Sequence, residues 1–182
     1  SFSLGFLFNK AMNQVSLEDL NIERGGSTHG LGIGSGLGFT HLRPNSFMQN
    51  YVTFHGESIR SQGAFYLPHG EGRSSLVDTR DVAAVAARAL LESGHKGHAY
   101  TLTGPAAITN KEVATTLSSV LGREVRYVDI PDAAAREALG QMGSPQKLTT
   151  ALMELNNIIR DGYTAEIFAD VEQVTGQAAR SF

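Results

Sequence analysis

The chain has 182 residues, of which 41% are hydrophobic and 18% are charged, with a formal net charge of −3 at pH 7. This length allows one domain with a packed core, and the composition is typical of a globular protein in water. No run approaches the roughly 18 apolar residues of a membrane span, so no membrane partner is expected. The basic residues are scattered and the pI is near 6.0, which argues against a nucleic-acid partner.

The chain contains no cysteine, which excludes disulfides, thiolate zinc sites and cysteine nucleophiles. This absence fits a reducing compartment, and we expect a cytoplasmic protein. None of the histidines has the His-x-x-x-His spacing of a helical zinc site, so no metal is expected. The six histidines are His29, His41, His55, His69, His95 and His98.

Residues 1–36 look different from the rest and are expected to form a divergent, flexible N-terminal segment. The apolar opening lacks a basic leader, so a buried or frayed segment is favoured over a signal peptide. Ser16 and Asp19 have the spacing of a helix start, and Gly25-Gly26 would end that short helix.

Seven glycines crowd the fourteen residues from Gly25 to Gly38. No frame among them supplies Gly-x-Gly-x-x-Gly, the dinucleotide-binding fingerprint. Each glycine costs about 1 kcal/mol relative to alanine inside a helix, so a flexible loop is the favoured interpretation. A distorted helix and a phosphate-binding cradle are the alternatives.

After residue 38, short extended segments alternate with helical segments. Strands are predicted at residues 39–42, 64–67, 74–77, 99–102 and 125–129. Four helices are predicted in this part of the chain. The first is capped by Asp78 and has the apolar residues Val82, Val85, Ala86, Ala89 and Leu90. The second starts with a capping box of Thr109 and Glu112 and has the apolar residues Val113, Leu117, Val120 and Leu121; the third runs from Asp132 to about Leu139; the fourth follows Ser144-Pro145 and has the apolar stripe Leu148, Leu152, Leu155 and Ile159. This alternation predicts an α/β fold with some parallel strand pairing.

Four stretches carry a resemblance to a known family. They are Phe39–Asn50 with its Leu-Arg-Pro-Asn-Ser-Phe, Leu76–Ala83 with Asp-Thr-Arg-Asp, Tyr100–Pro105, and Asp170–Gln177. Residues 35–182 thereby resemble the second half of NmrA-like proteins, which are atypical short-chain dehydrogenase/reductases that bind NAD(P). The resemblance implies a partial Rossmann-like, doubly wound sheet with a small α/β substrate lobe in residues 37–182. The family's glycine-rich phosphate loop has no counterpart in this sequence.

The resemblance also implies where ligands bind. Pro44, Asn45, Ser46 and Phe47 follow a strand at the edge where α/β sheets bind ligands, and they match the nicotinamide side of the family's cleft. Gln49, Asn50 and His69 are the predicted substrate-binding residues. The alternative is architectural: Arg-Pro-Asn forms a turn, Phe47 belongs to the core, and His69 lies in a solvent-facing turn. Residues 78–81 are expected to cap a helix and not to bind a ligand.

No catalytic residue can be named, because none of the five tyrosines has a lysine four residues later. We therefore expect an NmrA-like NAD(P)-binding oxidoreductase-type protein that is truncated and binds its cofactor weakly or not at all alone. An active enzyme would reduce a small molecule, quinone-like or azo-like, with NAD(P)H. The alternative is a non-catalytic dinucleotide-sensing or interaction protein. Half a sheet leaves an open edge, so pairing with another copy of the chain is also expected.

Overall fold

A computed structural model describes residues 39–182 of the chain. The helix predicted from Ser16 and the glycine-rich stretch up to Gly38 lie outside the described residues. The proposed boundary near residue 36 therefore stays a prediction.

The described strands form three small two-stranded sheets. They are β1 His41–Pro44, β2 Ala64–Leu67, β3 Arg73–Ser74, β4 Ala99–Leu102, β5 Ile108–Thr109 and β6 Arg126–Asp129. β1 pairs with β4 and β2 pairs with β6, both in parallel, whereas β3 pairs with β5 antiparallel. Parallel pairs need crossover connections, and helices supply them here. The predicted α/β class with parallel pairing is confirmed.

Seven helices lie between and after these strands in the described residues. They are α1 Asn50–Thr53, α2 Gly56–Gln62, α3 Thr79–Leu91, α4 Asn110–Leu121, α5 Asp132–Gln141, α6 Gln146–Arg160 and α7 Asp170–Thr175. The Asp78 side chain accepts the backbone N–H of Arg80 at 2.7 Å and caps α3. Thr109 and Glu112 form the predicted capping box at the start of α4. Both predicted helix starts are confirmed.

Several predicted boundaries differ from the structure. The strand expected at 39–42 runs from His41 to Pro44, and the one expected at 74–77 is only Arg73–Ser74. The second is short because its next amides leave the ladder: Ser75 N donates to Thr164 O and Val77 N donates to Ser46 O.

Two predicted apolar helix faces are only partly buried. On α6 the buried residues are Thr149, Met153 and Ile159, whereas Leu155 of the predicted apolar stripe is 40% exposed. On α4, Val113 is buried but Val120 is 78% exposed. Each stripe is thus confirmed at one residue, Ile159 or Val113, and is wrong where its apolar side chains face solvent, as at Leu155 and Val120.

The buried apolar side chains form two clusters. The first fills the space among α1, α2, α4 and the β2–β6 pair, and it contains Met48, Tyr51, Ile59, Phe65, Leu76, Val113, Ala114 and Val125. The second lies between the β1–β4 pair and helices α3 and α7, and it contains Val77, Val82, Val85, Leu102 and Val171. Met48, which follows β1, and Leu76 belong to the first cluster, whereas Val77 belongs to the second. The segment after β1 therefore lies between the two clusters.

Candidate functional site

The carboxyl ends of β1 and β4 meet at one edge, where Pro44 pairs with Leu102. Asn45 N donates to Leu102 O at 2.9 Å and extends this pairing by one residue beyond the strand. Ligands of open α/β sheets bind at the carboxyl ends of the strands. The structure therefore places Pro44, Asn45, Ser46 and Phe47 at the edge that the sequence predicts.

The side chain of Asn45 is fully engaged in holding this edge. Its Oδ1 accepts the N–H of Ser46 at 2.7 Å, and its Nδ2 donates to Ser75 Oγ at 2.8 Å and to Thr164 O at 2.9 Å. Ser75 is completely buried. Asn45 is thus a positioning residue for the turn, and both groups of its amide already have partners.

Ser46 and Phe47 continue the edge as a short ladder beside Val77. Val77 N donates to Ser46 O and Met48 N donates to Val77 O, each at 3.0 Å. Phe47 is half-buried and packs against the second apolar cluster, while Pro44 is exposed. The edge thus presents a rigid turn that carries the exposed ring of Pro44 and the half-buried ring of Phe47.

Gln49 and Asn50 follow at the start of α1 and have different surroundings. Gln49 Oε1 accepts the N–H of Thr79 at 3.1 Å, which adds a second cap to α3. Asn50 N donates to Phe47 O, but within residues 39–182 its side-chain amide has no hydrogen bond. Of these two residues, Asn50 is thus the one whose side-chain amide has no hydrogen bond within residues 39–182.

The cap of α3 beside this segment is ionic. Arg80 donates to both carboxylate oxygens of Asp78, and this pairing holds the pKa of Asp78 below its usual range, at about 2. Asp81 is 3% exposed and accepts both the backbone N–H and the guanidinium of Arg180. These contacts are structural, as the sequence predicts for residues 78–81.

His69 lies in the turn between β2 and β3, on the side of the structure that contains the first apolar cluster. Its Nε2 lies 2.9 Å from Asn156 Oδ1 and its Nδ1 lies 3.0 Å from Asn110 Nδ2. Burial lowers the pKa of His69 and favours the neutral ring. Both ring nitrogens of His69 therefore have hydrogen-bond partners.

Sequence reasoning missed the loop between α6 and α7, which lies at the same edge. Thr164 O accepts from Asn45, Glu166 O accepts from Ser75 Oγ at 2.7 Å, and Phe168 N donates to Thr103 Oγ1 at 3.0 Å. Thr103 directly follows β4. The only local sequence signal for this loop is Gly162 followed by a mixed apolar run.

Two titratable side chains that follow this segment, Tyr51 and His55, have shifted pKa values. Burial raises the pKa of Tyr51, and burial lowers the pKa of His55 to about 4, so both are neutral. Within residues 39–182, no three His, Asp or Glu side chains gather as a metal site would require.

A model of the NmrA-like family matches residues 31–182. The chain belongs to the NmrA-like family. It is 44% identical over 148 residues to an NAD(P)H azoreductase from Xenophilus azovorans, a match that covers 81% of the chain and 51% of that relative. It is 30% identical over 148 residues to quinone oxidoreductase 2 from Escherichia coli, with 81% and 50% covered. The chain spans about half the length of the curated relatives it matches.

Solved structures agree with this assignment. The NADPH-dependent quinone oxidoreductase of Escherichia coli, complexed with NADPH, superposes with a TM-score of 0.70 at 27% identity, covering 81% of this chain and 52% of that one. A triphenylmethane reductase from Citrobacter complexed with NADP(H) gives a TM-score of 0.66 at 22% identity, covering 80% and 51%, and shows the fold alone. The predicted Rossmann-like fold is confirmed. No helix in residues 39–182 has the length and apolarity to cross a membrane.

Proposed function

We propose that this chain supplies one side of the cleft of an NAD(P)H-dependent reductase. The observation that carries the proposal is the braced turn Pro44–Phe47 at the joined carboxyl ends of β1 and β4. Proteins to which the chain is similar include an NAD(P)H azoreductase and a quinone oxidoreductase, which supports a quinone-like or azo-like small-molecule acceptor.

NAD(P)H supplies a hydride when it is bound, and the described residues would hold and orient it. Pro44 and Phe47 present ring surfaces on which a flat nicotinamide or acceptor can pack, and Ser46 offers a hydroxyl beside them. Asn45 fixes the position of all three through Ser75 and Thr164. Orientation of this kind lowers the barrier because the reacting groups are held close together.

Substrate-binding roles remain proposed for Gln49, Asn50 and His69. Asn50 is the best placed for a direct hydrogen bond, since within the described part its amide is unengaged. Gln49 already caps α3 and His69 has both ring nitrogens occupied, so their contacts with an acceptor would be through van der Waals packing.

Weak cofactor binding by these 182 residues alone is a further part of the proposal. Rossmann folds hold the pyrophosphate at a helix N-terminus that follows a Gly-x-Gly-x-x-Gly turn, and the sequence contains no such string. The cofactor would then be held mainly by its nicotinamide half. We also propose that two copies of the chain pair, because within residues 39–182 β1 has a strand neighbour on one side only.

The reductase role is tested by following NADPH absorbance with the purified chain, a soluble quinone and millimolar NADPH. We expect quinone-dependent NADPH oxidation that requires the folded chain. Oxidation equal to that of buffer alone would contradict the reductase role. A titration of NADPH fluorescence in the same preparation tests the affinity separately, and a dissociation constant in the low micromolar range would contradict weak binding. Light scattering that shows a monomer at high concentration would contradict pairing.

A further inference from the structure

Four polar side chains form a continuous hydrogen-bond relay, of which the proposed reductase role uses only His69, for packing against an acceptor. Tyr51 Oη lies 2.6 Å from Asn110 Oδ1, Asn110 Nδ2 lies 3.0 Å from His69 Nδ1, and His69 Nε2 lies 2.9 Å from Asn156 Oδ1. The relay joins α1, the first residue of α4, the β2–β3 turn and α6. Its consecutive members are separated by 59, 41 and 87 residues along the chain.

The direction of the relay is fixed at the Tyr51 end. Tyr51 is 9% exposed and Asn110 is 4% exposed, and within the described residues Asn110 is the one hydrogen-bond partner of the phenol. A buried O–H without an acceptor costs about 1 to 3 kcal/mol, so the phenol must donate. Asn110 therefore turns its oxygen towards Tyr51 and its NH₂ towards His69.

This orientation selects one tautomer of His69. Because Asn110 donates to Nδ1, that nitrogen carries a lone pair, and the single ring proton of the neutral imidazole lies on Nε2. The Nε2–H then donates to Asn156 Oδ1. All bonds of the relay point the same way, from Tyr51 to Asn156.

The groups around His69 mostly oppose its protonation. Burial and the nearby Arg160 guanidinium lower its pKa, whereas Asp129 and the hydrogen bond with Asn156 act in the opposite direction. His69 in turn helps to lower the pKa of His55, after burial, so a positive charge on both rings is disfavoured. The backbone N–H of His69 is held by the Tyr127 hydroxyl at 3.2 Å. A protonated ring would place an N–H on Nδ1 against the NH₂ of Asn110, two donors 3.0 Å apart.

We propose that the Nε2–H form of His69 is a positioning element that holds α1, and with it the Phe47–Asn50 segment, against α4 and α6, and that protonating His69 releases this hold. Relief of the donor clash requires Asn110 to turn over, which removes the acceptor of Tyr51. Within the described residues α1 has four residues and no side-chain cap, and its buried residue is Tyr51. The contacts of Tyr51 include the hydroxyl bond and the packing of its ring on Phe65 and Phe182 at 5.3 and 5.4 Å. The inference concerns the chain without cofactor and does not depend on the reductase role.

The direct test is long-range ¹H–¹⁵N NMR of the histidine rings in the ¹⁵N-labelled chain, with the His69 signals identified by their loss in His69→Gln. We expect a protonated Nε2 and an unprotonated Nδ1, titrating with a midpoint below the ordinary 6.5. The Asn110 side-chain amide and the backbone amides of α1 should shift with the same midpoint. The proposal would be overturned if the proton of the neutral His69 ring lay on Nδ1, or if the chemical shifts of the α1 amides stayed constant over the titration.

Tyr51→Phe provides an arm that keeps the packed ring and removes only the phenolic donor. Asn110 then loses the partner that orients it, so a mixture of His69 tautomers is expected. Tyr66→Phe is the matched control, because it removes an exposed hydroxyl that bonds only Gln62 at 2.8 Å, and it should leave the tautomer unchanged. A single Nε2–H tautomer in folded Tyr51→Phe would overturn the direction of the relay.

Discussion

Replacing Asn45 with alanine should destabilise the protein, because this side chain ties the end of β1 to Ser75 and to the loop at Thr164. The substitution removes two donated hydrogen bonds and one accepted bond. Each such bond contributes about 0.5 to 1.5 kcal/mol net. Two of its partners retain other bonds, since Ser75 N still donates to Thr164 O and Ser75 Oγ still donates to Glu166 O. We therefore expect a loss of about 2 to 3 kcal/mol in the free energy of unfolding.

Urea denaturation followed by circular dichroism measures this loss as a lower midpoint at an unchanged slope. Asn50→Ala is the matched control, because it removes the same atoms where the described structure shows no side-chain hydrogen bond. That control should change stability by less than about 0.5 kcal/mol. Equal stabilities for the two variants would refute the argument that Asn45 braces the turn.

The remaining predictions concern the neighbours of this turn. Replacing a fully buried phenylalanine with alanine costs about 3 to 5 kcal/mol, and Phe47→Ala should lower the free energy of unfolding by less than this. If the ring stacks on the nicotinamide, the same change should also weaken nicotinamide binding by about 1 to 3 kcal/mol. Calorimetry that finds the loss of stability without the loss of binding assigns Phe47 to the core alone. Asp81→Asn should loosen residues 177–182, and faster hydrogen exchange of their backbone amides would show this. Glu57→Gln, which alters the exposed pair with Arg60, is the control and should leave the exchange of these amides unchanged. Equal protection of residues 177–182 in the two variants would contradict the anchoring role of Asp81. The pKa of Asp78 is depressed in the folded protein, so its contribution is present above its ordinary value of 3.8 and is lost as the pH falls towards about 2. Asp78→Asn should flatten this acid-dependent loss in urea melts, and an unchanged pH profile would contradict the cap.

Local rules predicted the elements that local chemistry determines. The caps at Asp78 and Thr109 need only side chains two or three residues from the groups they satisfy, and both are present. β2 and β4 have the predicted bounds, and Gly63 in a left-handed conformation marks the start of β2. The ligand-binding role of the edge after β1 rests on the family resemblance and stays a prediction.

The features that sequence reasoning missed depend on distant partners. α1 and α2 have no side-chain cap, and they are held by packing on Phe65. Asn156 of α6 lies 2.9 Å from His69 Nε2 in the β2–β3 turn, a partner that spacing along the helix cannot show. Asn45 has the sequence signature of a turn or of a ligand-binding amide, and only its bond to Thr164, 119 residues away, shows that it braces the turn.

The central claim is that Pro44–Phe47 faces the nicotinamide, and amide chemical-shift mapping of the chain during an NADPH titration tests it most directly. The account predicts that the amides of Asn45, Ser46 and Phe47 shift in a saturable way, while those of β6, within the other parallel strand pair, stay in place. Saturable shifts that spare Asn45, Ser46 and Phe47 and appear elsewhere would contradict the proposed site.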